Sequence, residues 1–153
     1  MTKTTALDTT LTDRQVAHSP REGLNVIGSE RISFANNDGT NIGTAYSGQV
    51  IQCFKVAAGT TVDKVRIRVI TAQGGTLTCT VGDGTAANGW DASVDLNASA
   101  NTIVGSDEDT DTYGFGKYYA VEDTIDVTLS ADSATYAVAV FDIEVWYHTA
   151  RTA

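Results

Sequence analysis

From residue 26 onward the apolar side chains recur with a period of two, and no ten-residue segment carries a 3.6-residue period. Alternation is the pattern of a strand that buries one face, so it commits the chain to an all-β fold. Its clearest instance is Val65, Ile67 and Val69 set between Lys64, Arg66 and Arg68. Gly74-Gly75 then gives a hairpin-type turn, and Leu77, Cys79 and Val81 again share a face, so 65–81 reads as a pair of strands. Upstream, Ile32 and Phe34 share a face before the turn signal Asn37-Asp38-Gly39. Val50, Phe54 and Val56 share another, with Gln52 among them, until Gly59-Thr60 breaks the run.

Downstream, residues 82–91 (GDGTAANGWD) hold three glycines and an Asn-Gly, which predicts a loop or tight-turn cluster. Short strands are expected near Ser93–Leu96 and Ile103–Val104, an acidic loop over 106–112, and a strand over Tyr113–Val121 interrupted by Gly114 and Gly116. Ile125, Val127 and Leu129 alternate with Asp126 and Thr128. The last strand, Tyr136–Tyr147, switches its apolar parity between Val140 and Phe141, which implies a bulge or a start buried on both faces. Seven to nine strands at spacings of roughly 8–12 residues are the signature of a β-sandwich or jelly roll. No internal repeat stands out.

A chain of 153 residues fits one domain, and folding at this size buries roughly 68–70% of the extended chain's surface. That is enough for a core without a metal or disulfide staple. Residues 1–25 differ from the rest. They show no sustained period, include six threonines, end near the single proline, Pro20, and are neutral, with Lys3, Arg14 and Arg21 against Asp8, Asp13 and Glu22. The expected division is an extended N-terminal arm over 1–25 and one β-sandwich domain over 26–153. Fully extended, such an arm reaches on the order of 80 Å, so it is expected to gain order by lying against other chains.

The formal charge of −9 is concentrated in residues 95–132, where nine acids face Lys117 alone. An acidic body argues against a nucleic-acid partner, which requires a clustered basic surface. No run of 18 apolar residues is present to span a membrane, and the N-terminus lacks the apolar stretch of a secretory signal. Two cysteines without a signal read as free thiols in a reducing compartment, although Cys53 and Cys79 could still meet in the fold.

A catalytic constellation needs a base or nucleophile in a defined frame. The two histidines, His18 in the arm and His148 near the C-terminus, have no such frame, and no catalytic or nucleotide-binding motif occurs. Cys53 and Cys79 fall on strands, where a buried thiol behaves as a small hydrophobe. Asp107-Glu108-Asp109-Thr110-Asp111 resembles the start of a calcium loop but lacks the glycine and distal glutamate of one, so a solvated acidic loop is the better reading. Asp83 and Asp91 bracket a Gly-rich loop and are read the same way. The sequence therefore singles out no catalytic, cofactor-binding or metal-binding residue. Trp90, Tyr113, Phe115, Tyr118 and Tyr119 cluster in or near loops, and three roles are open to them: core, subunit-interface anchors, or a sugar-stacking platform.

Several segments carry a resemblance: FKVAAGTTVDKVRIRVITAQGG (54–75), TLTCTVGDGTAANGWDASVDL (76–96), GKYYAVEDTIDVTLSA (116–131) and the closing VWY (145–147). Their order is similar to that of small virion structural proteins of tailed bacteriophages, over about two-thirds of the chain. Within that class the resemblance is greatest to capsid decoration (cement) proteins. It implies a non-enzymatic β-sandwich that assembles as a homotrimer on the outer capsid and binds the major capsid protein, in a virion put together in the host cytoplasm. It supplies no catalytic residues. Another virion part (a head fibre base, tail or adaptor protein) and a carbohydrate-binding β-sandwich module are the alternatives.

Overall fold

A computed structural model describes residues 3–5, 26–34, 47–104, 112–114, 116–130 and 138–149. Among them are ten strands: β1 (Lys3–Thr5), β2 (Val26–Ser33), β3 (Val50–Val56), β4 (Thr60–Thr71), β5 (Thr78–Gly82), β6 (Asp91–Asp95), β7 (Ile103–Val104), β8 (Lys117–Tyr119), β9 (Asp123–Leu129) and β10 (Val140–Thr149). They form two five-stranded sheets. One has the order β1-β3-β9-β5-β6; the other runs β2-β10-β4-β7, with β8 also paired to β4. We call them the β3 sheet and the β4 sheet. All pairings are antiparallel except β1 on β3. The fold is the expected all-β sandwich.

The alternation read from sequence supplies the two inner faces. Ile51, Phe54, Val56, Cys79, Val81, Ile125, Val127 and Leu129 from the β3 sheet, and Ile32, Val62, Val65, Ile67, Phe141, Ile143 and Val145 from the β4 sheet, are all buried in one core. Burying a side chain of this kind is worth roughly 1.5–3 kcal/mol, so the core, rather than any surface pairing, supplies most of the stability. The layers meet closely at Gly28 on β2, where a Cβ would strike the Phe54 ring of the opposite sheet. Phe54 in turn packs on Tyr147, with ring centroids 5.8 Å apart.

The parity switch in the last strand is a real irregularity: the β10–β4 register shifts between Val140 and Phe141. A second shift, between Gln52 and Phe54 in β3, changes one expectation. It puts Ile51 rather than Val50 on the inner face with Phe54, because a bulge residue reverses the parity of everything beyond it. Val50 lies opposite Thr128, on the other face.

The strands around Gly74-Gly75 are also not a hairpin. β4 pairs with β10, β7 and β8, whereas β5 pairs with β6 and β9. The glycine turn carries the chain from one layer to the other. Gly74 adopts a φ of 80° and donates its N–H to Asn97 Oδ1 at 2.9 Å. The neighbouring Gln73 N–H reaches Leu96 O at 3.1 Å. Both anchors lie just past β6, so the crossing is tied to the β3 sheet before β5 begins.

The expected strand over Tyr113–Val121 shortens to β8, since Gly116 takes a φ of 129° that ends the extended run on its N-terminal side. Within the expected arm, β1 lies parallel to β3 of its own chain, Lys3 opposite Val50 and Thr5 opposite Gln52. Residues 6–25 of that arm fall outside the described residues, as does most of the acidic loop over 106–112.

Candidate functional site: a carboxylate clasp between the two sheets

The loop between β5 and β6 is built around Asp83. Its Oδ1 accepts the N–H groups of Thr85 (2.8 Å) and Ala86 (3.1 Å), an Asx-type turn. Its own N–H donates to Ala86 O at 3.0 Å, Gly89 N–H reaches the same oxygen at 3.1 Å, and Thr80 Oγ1 donates to Ala87 O at 2.7 Å. The loop thus folds back over the end of β5. Gly82 and Gly89 are there for close approach: a Cβ on Gly82 would collide with the Ala86 and Ala87 backbone, and one on Gly89 with the Tyr113 ring.

Strand alternation then brings a second set of groups to this carboxylate. Lys117 and Tyr119 are two residues apart on β8 and so share a face, while Tyr118 between them points outward. Lys117 Nζ donates to Asp83 Oδ2 at 2.6 Å, Tyr119 OH to the same oxygen at 2.7 Å, and Tyr113 OH to Oδ1 at 2.8 Å. Lys117 also donates to Tyr113 OH at 2.8 Å, and Trp90 Nε1 donates to Tyr119 OH at 3.3 Å. The ammonium stands 4.2 Å from the Tyr113 ring centroid and 4.7 Å from that of Tyr119, a cation–π setting. Trp90 and Tyr113 meet edge to face at 5.2 Å. The loop belongs to the β3 sheet and β8 to the β4 sheet, so this cluster clasps the two layers together at one end.

Electrostatics follow from the geometry. Burial pushes the Asp83 carboxyl up, but Lys117, Tyr119, Tyr113 and the Thr85 N–H outweigh it and hold the group at about 2. Burial raises the Tyr119 phenol, and the bond to Asp83 raises it further. Burial pulls Lys117 down, yet Asp83 and Tyr113 leave its ammonium above its ordinary value. With five donors on two oxygens, the carboxylate has neither a proton to give at neutral pH nor a free lone pair for a substrate. The arrangement positions backbone; it does not transfer protons.

The other residues weighed in the sequence fall elsewhere. Trp90 is only 6% exposed and belongs to the core, as does Tyr119, whereas Tyr118 is 56% exposed. Burial of Trp90 removes it from any sugar-stacking platform, because its ring faces cannot reach solvent. Cys53 and Cys79 are free and buried, and burial raises both thiols well above the ordinary range. His148 Nδ1 lies 2.9 Å from Asp63 Oδ2 at the end of β10, partly exposed. Asp91 caps a turn through Ser93 N–H at 2.7 Å. His18, Phe115 and Asp107–Asp111 lie outside the described residues. Among the described residues no group of three or more His, Cys, Asp or Glu side chains is placed to hold a metal ion.

Sequence reasoning took Asp83 for a solvated loop residue and missed the clasp. An available signal was the Lys-x-Tyr spacing on β8, which puts an ammonium and a phenol on one face.

No protein-family model matches the chain, and no curated protein matches it by sequence. Solved structures do. A chain in the capsid of Ralstonia phage GP4 is similar with a TM-score of 0.65 and 13% identity, over 90% of this chain and 94% of that one. A chain of the cyanophage Pam1 capsid asymmetric unit has a TM-score of 0.59 and 14% identity, over 94% and 99%. One in the acidic stable capsid structure of Helicobacter pylori bacteriophage KHP30 has a TM-score of 0.57 and 13% identity, over 86% and 92%. At such low identity the shared property is the fold: this chain has the two-sheet fold of chains found in three phage capsids.

Proposed function

We propose that the chain is a non-enzymatic structural protein of a tailed-phage virion, a decoration (cement) protein on the outer capsid. The observation that carries the reading is the near-complete overlap in both directions, 86–94% of this chain on 92–99% of chains from three capsids. A shared domain inside a larger enzyme would leave much of the neighbour uncovered. The polar cluster around Asp83 supports it, since that constellation is saturated by its own fold and serves to hold layers together. As a cement, the protein acts by mass action: a subunit that binds the assembled shell and not its separated parts shifts the equilibrium toward the shell. The partner is the major capsid protein, and the protein itself acts as a homo-oligomer, with a trimer favoured.

The test is to add the purified chain to capsids lacking it and image the particles by electron microscopy. Ordered density on the outer surface, with a raised temperature of capsid disruption, is expected. Density confined to the tail or neck, or no binding, would refute the decoration role.

A further inference from the structure

The two ends of the sandwich are unlike. At one of them the β3–β4 turn (57–59) and the β8–β9 turn (120–122) lie side by side, each carrying the chain from one sheet to the other. Gly59, at a φ of 81°, donates its N–H to Tyr119 O at 2.7 Å, and Lys55 Nζ reaches Glu122 Oε1 at 2.9 Å. The two turns are thus bonded together, next to the strand that supplies Lys117 and Tyr119 to the clasp. Their side chains are nonetheless small, apolar and open to water. Ala57, Ala58 and Ala120 are exposed, and Val121, at 72%, is the most exposed large hydrophobic residue among those described. Tight turns favour Gly, Asn, Asp and Ser, so four apolar residues on two adjoining turns are not what local chemistry selects. Such departures belong to sites that do something else.

The opposite end keeps the rule. Its turns carry Ser47, Gly48, Gly74, Gly75, Asn97 and Ser130, all exposed, and the apolar Val138 beside them is 38% exposed. The stretches of chain outside the described residues also join the body at the first end. β1 runs parallel to β3, so the chain leaves Thr5 heading toward it, and β2 begins there with Val26 opposite Tyr147. β10 finishes there, with Thr149 opposite Thr60. Tied to the body on both sides, a stretch as long as 6–25 reaches no more than roughly 35 Å from this end.

We propose that this end of the sandwich seats on the assembled shell, with Ala57, Ala58, Ala120 and Val121 filling an apolar depression of the major capsid protein. Removing those side chains from water drives the contact. Two adjoining turns form a convex knob, so the partner must be concave, and the same knob of a second copy cannot pack against it. The clasp and the Gly59–Tyr119 bond hold the knob in shape before binding, which limits the ordering cost of association. The inference rests on the decoration reading, but the two fail separately. A chain that decorates particles through another surface keeps the first and loses the second.

The experiment measures binding of the full-length chain to capsids lacking it, for the unaltered protein, Val121→Asp and Thr76→Asp, with circular dichroism to show that each is folded. Thr76 is exposed at the opposite end. V121D brings a charge into the depression and should weaken binding about tenfold or more, while T76D binds as the unaltered chain does. Undiminished binding of V121D, or an equal loss in T76D, overturns the proposal. Failure of the unaltered chain to bind overturns it together with the decoration role. Electron microscopy of particles carrying the unaltered chain needs no variant and decides the matter even where V121D does not fold. Turns 57–59 and 120–122 should lie against the shell and the Gly74-Gly75 turn away from it, and any other orientation overturns the proposal.

Discussion

The clasp and the outer face of the β4 sheet use the same chemistry, carboxylates paired with basic groups and rings, to different ends. In the clasp, Asp83 is enclosed, every lone pair is engaged, and besides the N–H groups of Thr85 and Ala86 the partners come from residues 30 or more positions away. On the outer face, Arg31 and Arg66 pair with neighbours directly across the strand, in contact with water. Enclosure decides what the pairing is worth. A buried charge that loses its partner is stranded, whereas an exposed one is rehydrated. The first region therefore fixes the fold, and the second is free to be a surface.

That contrast can be broken by substitution. Asp83→Ala strands Lys117 and two phenols, and should lower unfolding free energy by about 3–5 kcal/mol, read from the denaturant midpoint. A loss no larger than that of a surface pair would erase the distinction between the two regions.

Acid sharpens the contrast at intermediate size. The Asp83 carboxyl titrates at about 2 in the folded chain against an ordinary 3.8. A depressed carboxyl contributes stability that is fully present above the unfolded value and is lost as pH falls through the folded one. The clasp's share, about 2–2.5 kcal/mol, should thus survive to pH 3.8 and disappear toward pH 2. Asp83→Asn should flatten the stability–pH curve in that window, and an unchanged slope would place the acid response elsewhere.

The smallest effect belongs to the outer face. Glu144→Gln, which weakens its pairs with Arg66 and Arg68, should cost under about 1 kcal/mol by thermal unfolding. A cost near that of Asp83→Ala would make the face part of the structural framework.

Much of this was legible in the sequence, for identifiable reasons. Period-two alternation located β4, β5, β9 and β10, and the parity switch at Val140/Phe141, open in the sequence to a bulge or to a start buried on both faces, coincides with a register shift. Which sheet a strand joins left no such trace. Gly74-Gly75 looks the same whether it closes a hairpin or carries the chain across the sandwich; the difference lies in Asn97 and Leu96, more than twenty residues on. The clasp was hidden by a related ambiguity. An aspartate in a Gly-rich loop is what turn chemistry favours anyway, so Asp83 gave no hint of Lys117, Tyr119 and Tyr113. Two stretches within the segments that carry the phage resemblance, VGDGT (81–85) and GKYY (116–119), supply Asp83, Lys117 and Tyr119 to that clasp.

The clasp's place between the two sheets bears on time as well as on equilibrium. Because the clasp joins one sheet to the other, it is expected to close only once both layers have formed, in the late part of folding. Interactions absent from the transition state leave the folding rate alone and act as a brake on escape from the native state. Removing a single hydroxyl with Tyr119→Phe should accordingly steepen the rate of unfolding while refolding keeps its pace. For the virion role proposed for this chain, slow departure from the native state matters more than quick arrival.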